Sequence, residues 1–249
     1  MSPEPILEVA GLVKRFGAFA ALDGVSFDLR PGEVMGLVGP NGSGKTTCIN
    51  VIAGLYAADE GTLTFDGRSL ATVPPHRRAQ AGINRTFQSP HPFGSLTVRE
   101  NVAVAAAYGG AGRPVDLDAL LASLNLDAVT GRPAHELNSA QQKALDLARA
   151  LATTPRLLLV DELAAGLNPA ELGRMADRLR ALAAGGMALL VVEHLMGFID
   201  RVTDRVVVMN AGREIFGGSM AAATRDPQVV QVYLGGPMPT SPVPEQPHA

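Results

Sequence analysis

The most regular feature of the chain is a set of short apolar runs, each followed directly by glycine-rich or charged residues. Three of these runs cover residues 34–38, 157–160 and 187–192. A strand that is buried on both faces of a parallel sheet carries apolar residues at every position, and the runs have the length of such strands. They therefore predict the inner strands of a parallel sheet.

Other strand patterns flank these runs. Residues 6–30 hold two short apolar runs about a turn, which predicts a pair of antiparallel strands. Residues 61–67 end in Asp-Gly, which is typical of a hairpin turn. Residues 82–88 predict a further core strand that ends in Gln88, ahead of a proline-containing loop.

Helical spacing of apolar residues fills most of the remaining sequence. Thr46 begins a predicted helix that Gly54 ends. Asn168, with proline next and Glu171 three residues later, is a typical helix start. Residues 93–152 are mostly helical in pattern and lie between two predicted core strands. We therefore predict an α/β fold, in which an antiparallel β subdomain and a helical insert accompany the core sheet.

The residues after the first core strand fit the phosphate-binding pattern G-x-x-x-x-G-K-[ST]; they are Gly39, Pro40, Asn41, Gly42, Ser43, Gly44, Lys45, Thr46 and Thr47. The glycines let the backbone turn tightly, so that its N–H groups converge on one anion at a helix N-terminus. Lys45 adds a positive charge for the β- and γ-phosphates, and the Thr46 hydroxyl is a ligand for Mg²⁺. The pattern predicts nucleotide binding but leaves kinases, GTPases, motors and transport ATPases open.

Acidic and imidazole side chains follow two other core strands. Asp161 and Glu162 end one strand, and His194 ends the next. In phosphate-loop ATPases the first such acid holds Mg²⁺ and a following glutamate polarises the attacking water; the alternative is a strand that ends in solvated acids. A lone histidine at a strand end is usually structural or solvated. Because ligands bind at the carboxyl ends of parallel strands, we expect His194 to contact the γ-phosphate.

The overall composition limits the possible partners. The 249-residue chain has a net charge of −3 and no basic stripe, so no nucleic-acid partner is expected. Its one cysteine cannot form an internal disulfide, and its N-terminus lacks a secretory pattern. The longest strongly apolar run, residues 181–192, is too short to cross a bilayer, so a membrane role would require a partner. Residues 236–249 are proline-rich and are predicted to be disordered.

Taken together, these motifs resemble those of ATP-binding cassette (ABC) ATPases over about residues 6–235. Within that family the chain is similar to the ATP-binding subunits of branched-chain amino acid importers. The segments that carry the closer resemblance are residues 82–88, 164–169, 192–194 and 226–235.

The resemblance implies a role for each candidate residue. Phe16 would stack on adenine, although its position alone suits a half-buried core residue equally well. Gln88, which by itself suggests only a surface amide, would lie near Mg²⁺ and the attacking water. Asp161 would hold Mg²⁺ together with Thr46 and Gln88.

Three residues would act directly in catalysis, namely Lys45, Glu162 as the base, and His194 beside the γ-phosphate. Residues 165–168 would meet a second subunit.

One motif departs from the family pattern. The usual Leu-Ser-Gly-Gly-Gln signature, which reaches the ATP of the partner subunit, is replaced by Leu137 followed by Asn138, Ser139, Ala140 and Gln141. The Asn138 amide can still donate a hydrogen bond, but the Ala140 methyl group crowds a place where backbone should approach closely. Leu163 stands where many relatives have proline. These differences predict a weakened signature and slower ATP hydrolysis.

The resemblance also implies an assembly. A second ABC ATPase subunit, like or unlike this one, would close on the chain, and two permease subunits would hold the pair at the cytoplasmic face of the inner or plasma membrane. A periplasmic or extracellular solute-binding protein would deliver a solute that the sequence leaves open among leucine-type amino acids, amides and urea. Two alternatives are a soluble ABC-type ATP switch without a permease and a phosphate-loop kinase with a small acceptor.

Overall fold

The computed structural model describes residues 4–110 and 114–234. The predicted disordered tail, residues 236–249, lies outside these ranges. The described strands are β1 (Leu7–Phe16), β2 (Phe19–Leu29), β3 (Val34–Val38), β4 (Glu60–Phe65), β5 (Arg68–Ser69), β6 (Ile83–Arg85), β7 (Leu157–Asp161), β8 (Ala188–Val192), β9 (Arg205–Asn210) and β10 (Arg213–Gly218). The described α-helices are α1 (Lys45–Ala53), α2 (Pro75–Ala81), α3 (Val98–Tyr108), α4 (Leu117–Ser123), α5 (Ser139–Ala152), α6 (Pro169–Ala184), α7 (Met196–Val202), α8 (Met220–Ala223) and α9 (Pro227–Leu234).

These strands form two sheets. The smaller sheet has the order β2-β1-β4-β5 and is antiparallel. The larger sheet has the order β10-β9-β3-β8-β7-β6 and is parallel except for β10, which pairs antiparallel with β9. The predicted α/β class with an antiparallel subdomain is therefore confirmed.

The inner strands of the larger sheet are buried on both faces. On β7, Leu158 and Val160 join one hydrophobic cluster, whereas Leu157 and Leu159 join the other. The first cluster includes residues of α3, α5, α6 and α7, and the second includes α1 and the antiparallel sheet. Because consecutive side chains of a strand point to opposite faces, two-sided burial requires the uninterrupted apolar runs seen in the sequence.

The segment between β6 and β7 is helical, as the sequence indicates. It comprises α3, α4, α5 and two 3-10 turns at Asp127–Val129 and Ala134–Glu136. Val102 of α3 and Leu145 of α5 are fully buried in the same cluster as the core sheet.

The predicted strand at residues 82–88 is too long. β6 ends at Arg85, and Gln88 lies in the following loop. The backbone N–H of Thr86 still donates to the carbonyl of Leu159, but the N–H of Phe87 donates to the Asp146 carboxylate of α5 at 2.7 Å. The regular pairing with β7 ends at Thr86, because the N–H of Asp161 bonds to the Thr86 hydroxyl, a side-chain acceptor, at 3.2 Å.

Candidate nucleotide-binding site

The phosphate loop connects β3 to α1, so it lies at the carboxyl edge of the larger sheet. Gly39, Gly42 and Gly44 have φ angles of 149°, 78° and 106°, which L side chains rarely adopt. A Cβ atom on Gly39 would overlap the carbonyl oxygen of Met209, and one on Gly44 would lie 2.5 Å from that of Ala21. At these two positions neighbouring backbone, as well as conformation, requires glycine.

Lys45 and Ser43 give the loop hydrogen-bonding groups that are available to a ligand. The buried Lys45 ammonium donates to the carbonyls of Gly39 and Pro40 at 2.8 and 2.9 Å. Burial lowers the pKa of Lys45, while the nearby Glu162 and Asp161 carboxylates oppose this shift. Ser43 Oγ is buried and has no hydrogen-bond partner within the described residues. A buried cation and an unpaired hydroxyl in one glycine-rich turn suit a bound phosphate chain.

Glu162 is the centre of a second group of polar side chains. Its Oε2 accepts a hydrogen bond from Gln88 Nε2 at 2.5 Å, and its Oε1 lies 2.5 Å from His194 Nε2. The three side chains follow β6, β7 and β8, so the parallel order of the sheet brings them together. Glu162 has a φ of 49°, a strained conformation for a residue with a side chain. Its N–H donates to the Val192 carbonyl at 2.9 Å, which fixes this turn to β8.

Asp161 is buried at the end of β7 and forms an ion pair with Arg85, with 3.1 Å between Asp161 Oδ2 and Arg85 Nη2. Burial raises the pKa of Asp161, and the Arg85 guanidinium opposes that rise. Arg85 also donates to Asn50 Oδ1 of α1 at 2.5 Å. Sequence reasoning did not single out Arg85, because its contact with Asp161 depends on how β6 and β7 pair.

One cleft of about 520 Å³ joins the phosphate loop to the Glu162 group. The candidate residues that line it are Asn41, Gly42, Gly44, Lys45, Thr46, Thr47, Gln88, Glu162 and His194. Gly39, Pro40, Ser43 and Asp161 do not line it. The cleft thus joins the glycine-rich turn to the Glu162 carboxylate, both oxygens of which contact side chains.

Phe16 does not line this cleft, whereas Phe19 does. The Phe16 ring packs edge-to-face on Tyr56, with 5.3 Å between ring centroids. Phe16 and Phe19 are direct partners at the end of the β1–β2 hairpin, and both rings are exposed, by 45% and 64%. Directly paired residues of antiparallel strands project from the same face. The hairpin therefore offers two aromatic rings, of which the sequence analysis identified one.

The candidate signature residues lie outside this chain's own cleft. Asn138 caps α5: its Oδ1 accepts from the N–H of Gln141 at 2.9 Å, and Gln141 Oε1 accepts from the N–H of Asn138 at 3.1 Å. Ser139 and Ala140 occupy the first turn of α5. Asn138, Ala140 and Gln141 line a separate cavity of about 260 Å³ between α5 and α6.

Comparison with known proteins identifies relatives along nearly the whole chain. Residues 22–165 match the family model described as "ABC transporter". A probable branched-chain amino acid transport ATP-binding protein, LivG, from Archaeoglobus fulgidus is 37% identical over 245 residues, covering 92% of this chain and 95% of its own. The high-affinity branched-chain amino acid transport ATP-binding protein BraF of Pseudomonas aeruginosa is 35% identical, covering 93% and 98%.

Solved structures that resemble this chain are also ATP-binding cassettes of ABC transporters. A nucleotide-free ATP-binding cassette from an ABC transporter superimposes with a TM-score of 0.84 at 32% identity, covering 92% of this chain and 99% of the other. The ADP conformation of an ATP-binding cassette of an ABC transporter also gives 0.84, at 33% identity, covering 93% and 99%. Within the described residues, no helix has both the length and the apolar character that crossing a membrane requires.

Proposed function

The chain belongs to the ABC transporter family as an ATP-binding, ATP-hydrolysing subunit, and we propose that it energises an importer for branched-chain amino acids or related small polar solutes. The observation that carries this proposal is the convergence of Gln88, Glu162 and His194 in one cleft with Lys45. The solute class rests on the functions for which the relatives are named.

The reaction is phosphoryl transfer to water. Lys45, Thr46 and the backbone N–H groups of the loop bind the phosphates, while the hairpin aromatics, Phe16 among them, hold the base. Glu162 accepts a proton from the attacking water. The oxygen of that water bonds to the γ-phosphorus, and the bond from the γ-phosphorus to the oxygen that bridges to the β-phosphate breaks. His194 and Gln88 orient the Glu162 carboxylate, and His194 contacts the γ-phosphate.

The residues present fit Mg²⁺, which prefers oxygen ligands. Thr46 offers a hydroxyl, Asp161 a carboxylate, and Gln88 its amide oxygen, since its Nε2 is engaged with Glu162. When bound, Mg²⁺ neutralises charge on the phosphates.

A second ABC ATPase subunit completes the site. Asn138, Ser139, Ala140 and Gln141 lie away from the cleft of their own chain, which suits residues that serve the ATP of a partner. The partner is a copy of this chain or an unlike subunit. The cassette spans residues 6–235 and contains a helical subdomain of residues 93–152.

A groove beside the helical insert suits a permease. It has a volume of about 290 Å³, and its lining includes the exposed rings of Phe87, Phe93 and Tyr108 together with Arg85 and Arg149. Exposed aromatic rings beside arginines are typical of protein interfaces. Two permease subunits that bind here would keep the ATPases at the cytoplasmic face of the inner or plasma membrane, with a solute-binding protein on the opposite side.

Co-purification tests this assembly. The tagged chain, expressed with the membrane proteins encoded next to it, is recovered from detergent-solubilised membranes. We expect permease subunits to co-purify with the wild type and with Tyr108→Phe, and to be lost with Tyr108→Asp. Tyr108 is 82% exposed, so neither change disturbs the core. Recovery of the chain alone in every case would favour a soluble ATP switch. In a separate assay, phosphate transfer from ATP to a small acceptor would favour a kinase.

A further inference from the structure

Lys143 is a buried lysine of α5 whose contacts concentrate on one turn. Only 7% of its surface is exposed. Its ammonium donates to the carbonyls of Glu162 and Leu163, each at 3.2 Å, and to the carbonyl of Ala165. One cation thereby binds three backbone acceptors of the turn that begins at Glu162.

Glu193 binds the same turn by accepting a backbone N–H of that turn. This buried carboxylate follows β8, and its Oε1 accepts the N–H of Ala164 at 2.5 Å. The N–H of His194 also donates to the Glu193 carboxylate. The turn at residues 162–165 therefore lies between a cation that binds its carbonyls and an anion that binds an N–H.

The two charges depend on each other. Burial lowers the pKa of Lys143 and raises that of Glu193, and each group opposes the shift of the other. Removing either charge would leave the other one buried with one compensating charge fewer, which disfavours its ionised form. Burying these two charges costs folding free energy, and what they provide in return is a fixed position for the turn.

Glu162 is the residue of this turn whose position has to be fixed. It has a φ of 49°, and the residues at 162–165 include no proline that would fix the backbone by itself. We propose that Lys143 and Glu193 are positioning residues that hold the Glu162 turn in its reactive geometry. This proposal rests on the proposed role of Glu162 as the base. It also connects the base to the segment at Asn138, since Lys143 lies in the helix that this segment begins.

The test compares Lys143→Met, which keeps the aliphatic stem but loses the donors, with Lys143→Arg, which keeps charge and donors. Gln142→Met is the matched control, because Gln142 also donates to a carbonyl, that of Leu137, from the next position of α5. We expect Lys143→Met to lower kcat by about tenfold to a hundredfold, the order expected when a reacting group is misplaced. Its Kd for ATP should remain within about twofold of wild type, Lys143→Arg should recover most of the rate, and Gln142→Met should show no loss.

The same change in a Glu162→Gln background separates positioning from general damage. If Lys143 acts through Glu162, Lys143→Met should not slow the Glu162→Gln chain further. An equal fall in both backgrounds, or a parallel loss of ATP affinity, would overturn the proposal. If Lys143→Met does not fold, Glu193→Gln is judged by the same two criteria. A wild-type rate for Glu162→Gln alone would instead refute the role of Glu162.

Discussion

His194 Nε2 lies 2.5 Å from Glu162 Oε1, and Gln88 Nε2 lies at the same distance from the other oxygen of that carboxylate. Both oxygens of Glu162 are therefore held by side chains that follow the neighbouring strands. An ionised carboxylate only accepts hydrogen bonds, so with Glu162 ionised the donor of this contact is His194 Nε2. The orientation of the candidate base is thus set by the order of β6, β7 and β8.

Glu162→Gln should keep ATP binding but nearly stop turnover. The amide preserves the shape of the side chain and cannot accept the proton of water. We expect kcat to fall by about a hundredfold or more, the usual weight of such a group. Steady-state hydrolysis and equilibrium nucleotide titration measure the two effects separately. A purified variant that hydrolyses ATP at close to the wild-type rate would refute the assignment.

Lys45→Ala should weaken ATP binding itself. The ammonium lies at the base of the glycine-rich loop, where it donates to the backbone carbonyls of Gly39 and Pro40. A hydrogen bond to a charged group contributes about 1.5–3 kcal/mol, so we expect Kd to rise by about tenfold or more. Titration in the presence of Mg²⁺ measures this directly. Equal affinity in variant and wild type would argue against the loop as the phosphate site.

Phe19→Ala should weaken ATP binding, as should Phe16→Ala. The rings are paired across the β1–β2 turn, and Phe19 lines the cleft. Stacking of a base on an aromatic ring is worth about 1–3 kcal/mol, whereas inorganic triphosphate carries no base. We expect each variant to lose affinity for ATP and to keep its affinity for triphosphate. Unchanged ATP binding by Phe19→Ala would leave Phe16 as the stacking ring by itself.

Cys48 should be unreactive in the folded chain. It lies in α1 directly behind the phosphate loop, and burial raises its pKa to about 12. Because the thiolate is the reactive form, a thiol reagent at pH 8 should modify the native chain slowly and the denatured chain at one thiol per molecule. Bound nucleotide should slow the native reaction further, since it stabilises the folded state. Rapid stoichiometric modification without denaturant would show that α1 opens readily.

The sequence predicted the parts of the fold that repeat a pattern over many residues. The apolar runs at β3, β7 and β8 and the cap at Asn168 required only local rules, and each is present. By contrast, α7 has seven residues, too few for a clear periodicity, and no pattern indicated it. The end of β6 depends on the contact of Thr86 with Asp161, 75 residues away, so no local rule could have located it.

The candidate site divides in the same way. The phosphate loop and the acids after β7 are contiguous motifs, which a single sequence reveals. Phe19, Arg85, Lys143 and Glu193 gain their importance from contacts between distant segments. A lysine within a helix or an arginine within a strand has no distinguishing feature until the partner strand and its register are known.

The double change Asn138→Ser with Ala140→Gly should raise the ATPase rate of the isolated chain. Asparagine and serine cap helices about equally well, and glycine in place of alanine costs at most about 1 kcal/mol in a helix, so the fold should survive both changes. The serine supplies the hydroxyl donor of the usual signature to the partner's γ-phosphate in place of an amide, and the glycine removes a methyl group from the approaching backbone. A hydrogen bond to a charged group contributes about 1.5–3 kcal/mol, so a fully regained one corresponds to a gain of about tenfold or more. A homodimer of the wild type carries the weakened segment at both sites, whereas an unlike partner with an ordinary signature would leave only one site affected. The wild type should therefore also hydrolyse ATP faster with that partner than alone.

Steady-state ATPase rates of the wild type and the double variant at matched concentration test this prediction, with thermal unfolding as the control for folding. If the double variant is no faster, the segment does not limit this subunit, and the expectation of an unlike partner loses its basis.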